Sequence, residues 1–221
     1  MKSHLLACLL PLLFASCRTL TPANPEEVAR VRVACETART QAYEARQSWV
    51  FEFNHHWWQP ARQLTALGYA KVDPGTGDYE GVCESTTVGK LFDVMRTNGE
   101  INVWLTSAVF GDPQKAGKII GEDISRLFFD WVPPPEATVC RKGDHLVFRS
   151  RHDRDWSEYE FDIVTTRLVG KTICQNSWLS TVTFDEYQRY SCGQYPTVMK
   201  LINHKQGYSL TVRNVNIRPA R

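Results

Sequence analysis

Most of the chain alternates between hydrophobic and polar residues with a period of two, the pattern typical of half-buried β-strands. The first such run contains Trp49, Phe51 and Phe53, and similar runs continue to about residue 217. Short turn-like segments separate these runs, and Asn98-Gly99 is the strongest hairpin signal among them. Short links favour antiparallel neighbours, because parallel strands need long crossover connections.

Two segments have the period of an α-helix instead. Pro25 followed by two glutamates is typical of a helix start and predicts a helix over residues 25–42. A second helical segment follows Asp112-Pro113, and Gly117 and Gly121 leave open whether it forms one helix or two short pieces. The apolar residues on one face of this segment are Ile120, Ile124, Leu127 and Phe128.

These elements together predict a mainly β protein with helices, of the α+β class. We expect about ten or eleven antiparallel strands, and a sheet of that size curls rather than staying flat. Two helices are too few to cover both faces of the sheet, so we expect them to cover the concave face and leave an apolar hollow beneath them.

The amino terminus predicts export and membrane attachment. Residues 1–17 read MKSHLLACLLPLLFASC, a lysine followed by an apolar stretch that is too short to span a bilayer. The stretch ends in Ala15-Ser16-Cys17, which resembles the bacterial lipobox, and this resemblance implies acylation of Cys17. The predicted organisation is a lipoprotein signal peptide at 1–16, a tether at 17–24 and one domain at 25–221. An ordinary secretory signal peptide is the alternative.

Composition and charge narrow the possible functions. The chain has 221 residues, of which 43% are hydrophobic and 23% charged, as in an ordinary globular protein. A net charge of +2 is too small to indicate nucleic-acid binding. No apolar run reaches the roughly 18 residues that a membrane-spanning helix needs, which excludes an integral helical membrane protein.

Catalytic and metal-binding motifs do not emerge from the sequence. His55-His56 are adjacent, so on a strand they point to opposite faces and cannot bind one metal together. No zinc-type spacing, nucleophile elbow or phosphate loop is present, so we expect no enzyme activity, no metal site and no cofactor. One or two disulfides are plausible in an exported chain, without assigned connectivity. The cysteines concerned are Cys35, Cys83, Cys140, Cys174 and Cys192.

Three stretches carry a family resemblance. Residues 64–73 and 86–94 look like the paired strands of DUF3261-type bacterial outer-membrane lipoproteins, and the mid-chain helix follows where these proteins place it. Residues 166–171 and 208–217 resemble the last strands of the LolA and LolB lipoprotein-carrier fold. This resemblance implies a curled antiparallel half-barrel covered by helices, with a cavity for acyl chains. Because Arg18 stands where an Asp signals inner-membrane retention, it also implies the outer membrane.

The sequence therefore predicts a membrane-anchored periplasmic binding protein for a lipid or for lipoprotein acyl chains. Its partners would be the lipid or acylated protein as cargo, the membrane, and a periplasmic carrier protein. An envelope scaffold or interaction lipoprotein with a filled core is the alternative. The residues expected to line the hollow are Trp49, Phe51, Phe53, Leu64, Ala66, Leu91, Ile120, Ile124, Leu127 and Phe128.

Overall fold

This computed structural model describes residues 20–37, 41–53, 63–105, 107 and 110–220. The two helices are α1 (Pro25–Thr37) and α2 (Pro113–Phe128). The strands are β1 (Thr21–Pro22), β2 (Tyr43–Phe53), β3 (Gln63–Asp73), β4 (Asp78–Ser85), β5 (Gly89–Thr97), β6 (Glu100–Leu105), β7 (Thr138–Lys142), β8 (His145–His152), β9 (Asp155–Asp162), β10 (Leu168–Gln175), β11 (Trp178–Tyr190), β12 (Gly193–Asn203) and β13 (Tyr208–Pro219). The predicted signal peptide, Cys17 and His55-His56 lie outside the described residues.

All of these strands form a single antiparallel sheet in the order β1-β7-β8-β9-β10-β11-β12-β13-β2-β3-β4-β5-β6. The sheet does not close on itself, since β1 and β6 are its two edges. One face carries the core and both helices, which confirms the predicted mainly β fold with a helical cover. The count of thirteen strands corrects the expected ten or eleven. One of the additional strands is β1 (Thr21–Pro22), which lies in the segment predicted as a tether and pairs with β7.

Side chains alternate between the two faces of each strand, as the sequence period requires. In β2, Trp49 and Phe51 are buried on the concave face, and Glu52 between Phe51 and Phe53 is exposed on the other. Strand β2 pairs with β13, the last strand along the chain, and Leu210 lies opposite Phe51. This pairing makes β2 to β6 and β7 to β13 one continuous concave surface.

Helix α1 covers the concave face beside β8. Pro25 occupies its first turn, and the Asn24 side chain accepts a hydrogen bond from the Glu26 N–H at 2.9 Å. Val31 is fully buried in the core. The helix spans Pro25–Thr37 and is shorter than the predicted 25–42. Ala42 lies next to the sheet instead, where its carbonyl accepts a hydrogen bond from the Ala220 N–H.

Helix α2 is one continuous helix of 16 residues packed against β6. The Asp112 carboxylate caps its start by accepting hydrogen bonds from the N–H groups of Gln114 and Lys115. A Cβ placed on Gly121 would lie 2.7 Å from Ile101 Cγ2 of β6. This glycine therefore permits a close approach of helix and strand. Within the described residues, no helix is both long and apolar enough to cross a bilayer.

Candidate functional site

A hollow of about 250 Å³ lies between the first half of α2 and the ends of β2 and β13. Most of the side chains around it are apolar or aromatic, and the polar ones are Asp112, Lys115 and Gln206. The described residues that line it are Phe51, Phe53, Phe110, Gly111, Asp112, Lys115, Ala116, Ile119, Ile120, Gln206 and Tyr208. We call this cavity the α2 hollow.

Aromatic rings form the wall of the α2 hollow on the sheet side. Phe51 and Phe53 point to the same face of β2, with ring centroids 6.4 Å apart and nearly parallel planes. Phe110 meets Phe51 edge-on at 5.5 Å, and Tyr208 lies 6.3 Å from Phe53. Because each ring is fixed by a ring neighbour, the wall is in place without a ligand. Such a surface suits a hydrocarbon chain.

The polar residues of the α2 hollow come from the start of α2 and the turn before β13. The Asp112 carboxylate is occupied by the helix N–H groups, with distances of 2.9 Å to Gln114 N and 3.1 Å to Lys115 N. The Lys115 side chain is exposed. No carboxylate in the described part of the chain forms an ion pair with its ammonium. Lys115 is thus a cation of the hollow that has no carboxylate partner among the described residues.

Behind Tyr208 lies a buried polar cluster that ties α2 to the sheet. The Tyr208 hydroxyl donates a short hydrogen bond to Asp123 Oδ2. Asp123 Oδ1 accepts from Arg126 Nη1 at 2.8 Å, and Arg126 Nη2 contacts Glu122 at 3.3 Å. Burial raises the pKa of the Asp123 carboxyl to about 7, although the charge of Arg126 acts in the opposite direction. This cluster was not among the residues predicted from the sequence.

The residues predicted to line a cavity fall into three groups in the structure. Phe51, Phe53 and Ile120 line the α2 hollow. Phe128 lines a second cavity at the other end of α2. The remaining six lie in the packed core and line neither cavity: Trp49, Leu64, Ala66, Leu91, Ile124 and Leu127.

Three further cavities are larger but more polar. One of about 320 Å³ adjoins the α2 hollow at Lys115 and Ile119 and also includes Lys118, Glu122 and Arg126 in its lining. The cavity at the end of α2 has about 470 Å³ and includes Glu36, Asp130 and Arg167 in its lining. Another of about 350 Å³, between α2 and β8 to β10, includes Arg126 and Asp155. These last two cavities share no lining residue with the α2 hollow. The α2 hollow is therefore the best candidate for an apolar ligand.

Cysteine and histidine side chains do not form a reactive cluster in the described residues. No three groups among His, Cys, Asp and Glu come close enough there to bind a metal ion. Burial raises the pKa of the Cys83 thiol to about 12, so this thiol stays protonated and is a poor nucleophile. His145 Nδ1 contacts Glu160 Oε1 at 2.7 Å on a pair of neighbouring strands.

No protein-family model and no curated protein matches the chain. Among solved structures, a Vibrio parahaemolyticus domain described as an outer membrane lipoprotein-sorting protein domain has a TM-score of 0.50 and 16% identity, over 87% of this chain and 91% of its own. A LolA superfamily protein from Nitrosomonas europaea has a TM-score of 0.51 and 8% identity, over 87% of this chain and 93% of its own.

A DUF1329 family protein from Desulfovibrio piger is also similar, with a TM-score of 0.50 and 10% identity over 89% of this chain and 94% of its own. At such low identities these likenesses show the fold alone. The chain has the curled antiparallel sheet of the LolA-like half-barrels, covered by helices on its concave face. The DUF3261-type resemblance is not confirmed by them.

Proposed function

We propose that the protein is a membrane-anchored periplasmic binding protein for a lipid or for lipoprotein acyl chains, acting in lipid or lipoprotein transfer to the outer membrane. The observation that carries this proposal is the α2 hollow, an aromatic-walled cavity between the helical cover and the concave face of the sheet. The fold likeness to a lipoprotein-sorting domain and to a LolA superfamily protein supports it. The DUF3261-type resemblance and the lipobox-like Cys17 belong to the same proposal.

Hydrophobic transfer supplies enough free energy for such binding. Each methylene group moved from water into an apolar site contributes about 0.8 kcal/mol. Eight methylenes therefore contribute roughly 6 kcal/mol before the cost of ordering the chain is subtracted. Binding and release of this kind need no nucleotide or metal, and transfer then follows the difference in affinity between donor and acceptor.

A filled-core scaffold lipoprotein is the second candidate, favoured by a different observation. Trp49, Leu91 and Leu127, all predicted to line a cavity, are at most 1% exposed and belong to the continuous core. Much of the space beneath the helices is therefore filled by side chains. Under this alternative the α2 hollow has no ligand, and the outer surface binds an envelope partner.

Photo-crosslinking in intact bacteria separates the two candidates. Cells expressing the full chain are fed a diazirine fatty acid, which enters envelope lipids and lipoproteins, and adducts are mapped by tandem mass spectrometry. We expect adducts on peptides that contain Phe51 to Phe53 and Ile119 to Ile120, distinct from acylation at Cys17. Their absence from a protein that melts normally would support the scaffold instead.

The variant Ile119→Glu tests whether the ligand binds in the α2 hollow. Ile119 is half-buried at the α2 hollow, so a carboxylate there should remove the adducts by making the cavity polar. Val33→Glu on α1, where the valine is 59% exposed, should leave adduct yield and melting temperature unchanged. Equal adduct yields in the two variants would contradict binding in the α2 hollow.

A further inference from the structure

We propose that the ligand of the α2 hollow has one acyl chain that ends in an anionic group, such as a fatty-acid carboxylate or the phosphate of a lysophospholipid. The inference rests on the proposed function and narrows its substrate class, excluding a cargo that inserts two or three chains at once. The volume of the α2 hollow supports the single chain, and the charge of the residues around it independently supports the anionic group.

The volume of the α2 hollow limits the number of chains. A methylene-sized group occupies about 30 Å³, close to the share of one water molecule in the liquid. The 250 Å³ available thus accommodate about eight such groups. Two of the larger cavities have no lining residue in common with the hollow. The third meets it at Lys115 and Ile119, but its remaining lining is mostly charged or polar, so it does not extend the apolar space. One chain of medium length fills the space, and a second has no room.

Charge at the α2 hollow determines which end group the chain carries. Among the described lining residues, Lys115 is the cation and Asp112 the acidic residue, and the Asp112 carboxylate accepts hydrogen bonds from two helix N–H groups. Lys118, one turn further along α2, is exposed but does not line the hollow. Lys205, next to the lining residue Gln206, lies 4.2 Å from the centre of the Trp178 ring. The surroundings therefore favour an anion over a cation.

The arrangement along α2 fits an amphiphile of this kind. Lys115 and Ile119 are four residues apart, so they lie on the same face of the helix in adjacent turns. Ile120 is buried deeper, facing the space bounded by Phe51 and Phe53. A head group at the Lys115 ammonium places the chain past Ile119 and against the aromatic wall.

Competition photolabelling tests the inference on the full-length acylated protein in phosphatidylcholine nanodiscs. The probe is a decanoate that carries a diazirine, and only adducts on the peptides of the α2 hollow are counted. Competitors are straight-chain carboxylates of six to fourteen carbons, decanol, decyltrimethylammonium, lysophosphatidate and lysophosphatidylcholine. We expect competition to strengthen about fourfold per methylene up to roughly ten carbons and then to level off.

Lys115→Gln tests the charge. We expect it to weaken decanoate competition about threefold, the size of an exposed ion pair, without changing decanol competition. Lys118→Gln is the matched control on the same helix and should change neither. The relative strength of decanoate and lysophosphatidate then identifies the source of the anionic group.

The outcomes separate this inference from the proposed function. If the probe forms no adduct in the α2 hollow, the proposed function fails. If adducts form but decanol, decyltrimethylammonium and decanoate compete equally in both the unmodified protein and Lys115→Gln, only the anionic preference is overturned. If competition continues to strengthen fourfold per methylene to fourteen carbons, the volume limit is overturned, and with it the single-chain limit.

Discussion

Asp123 occupies a position where two opposing electrostatic effects meet. It is 1% exposed, and burial favours the neutral carboxylic acid. The neighbouring Arg126 guanidinium favours the carboxylate, yet burial is the larger effect and the pKa rises to about 7. The hydrogen bond from Tyr208 connects this group to the wall of the α2 hollow. The protonation of Asp123 therefore affects how firmly α2 is held.

The stability of the protein should depend on Asp123 between pH 5 and pH 7. An unfolded Asp ionises near pH 4, whereas the folded one keeps its proton to about pH 7, so the folded state binds more protons in this range. The contribution of Asp123 to the free energy of unfolding should fall by about 2 kcal/mol from pH 5 to pH 7. Asp123→Asn should lack this decrease.

Urea unfolding of both proteins at several pH values measures the effect. The free energy of unfolding of the unmodified protein minus that of Asp123→Asn should fall as the pH rises, and stay constant above pH 8. Glu122→Gln, at the partly exposed partner of Arg126, is the control and should leave the slope in place. A difference that does not vary with pH would show that Asp123 has an ordinary pKa.

The sequence contained a signal for this cluster that the amphipathic pattern obscured. Asp123 and Arg126 are three residues apart, on the same helical face as Ile120 and Ile124. Charged residues inside an apolar face indicate a buried ion pair. Tyr208, 85 positions away, could not be assigned as their partner, because that contact depends on how β13 folds back over the chain.

At the scale of elements, α2 and β6 approach each other at two glycines. Gly121 faces Ile101 of β6, and a Cβ at this position would lie 2.7 Å from Ile101 Cγ2. Ile101 is β-branched, so this methyl group has little freedom to move away. Gly117, one turn earlier, faces Val103, where the nearest atom would be 3.6 Å away. The two glycines thus have different roles despite similar sequence contexts.

Alanine substitutions should separate those roles. Gly121→Ala should lower the free energy of unfolding by about 1–3 kcal/mol, because the added methyl group forces α2 away from β6. Gly117→Ala should be neutral or raise it by up to about 1 kcal/mol, since alanine favours the helix and the space is sufficient. Urea denaturation gives both values. Equal effects of the two substitutions would contradict the close contact at Gly121.

The sequence predicted which helices and strands form more accurately than where each of them begins and ends. The amphipathic pattern predicted α2, but it left one helix or two pieces open because glycine costs helix stability. The packing of Gly121 on Ile101 resolves this, and it is a tertiary contact. The predicted α1 likewise extended to Ala42, whose carbonyl instead accepts a hydrogen bond from the Ala220 N–H, a contact between distant segments that local periodicity does not encode.

For the whole molecule, the sequence predicted a curled antiparallel sheet, but its order follows from contacts between distant segments. The hairpins from β2 to β6 and from β7 to β13 connect strands adjacent in sequence, and short turns predict such pairs. The pairing of β13 with β2 and of β1 with β7 joins distant parts of the chain. Six of the ten residues predicted to line the hollow lie in the packed core, and the sequence could not separate the two positions because core and lining residues have the same apolar character.

The single core predicts that the chain from β2 to β13 unfolds in one step. Buried residues from both parts of the sheet belong to one continuous cluster, so neither part keeps a complete core without the other. We expect coincident unfolding transitions by tryptophan fluorescence and far-ultraviolet circular dichroism. Hydrogen exchange should be slowest in β12, β13 and β2 and fastest in the short edge strand β1. Separate exchange classes for β2 to β6 and β7 to β13 would indicate two units.

The pairing of β1 with β7 also limits how far the domain can travel from the lipid surface. Three residues lie between Cys17 and Thr21, so the Cα atoms of these two residues are at most about 14 Å apart when this segment is fully extended. With acyl groups on Cys17, as proposed, the rim formed by β1 and β7 would stay close to the head groups. The domain would then have a restricted range of orientations above the bilayer. Any protein that exchanges a ligand with it would have to approach from a side that does not face the membrane.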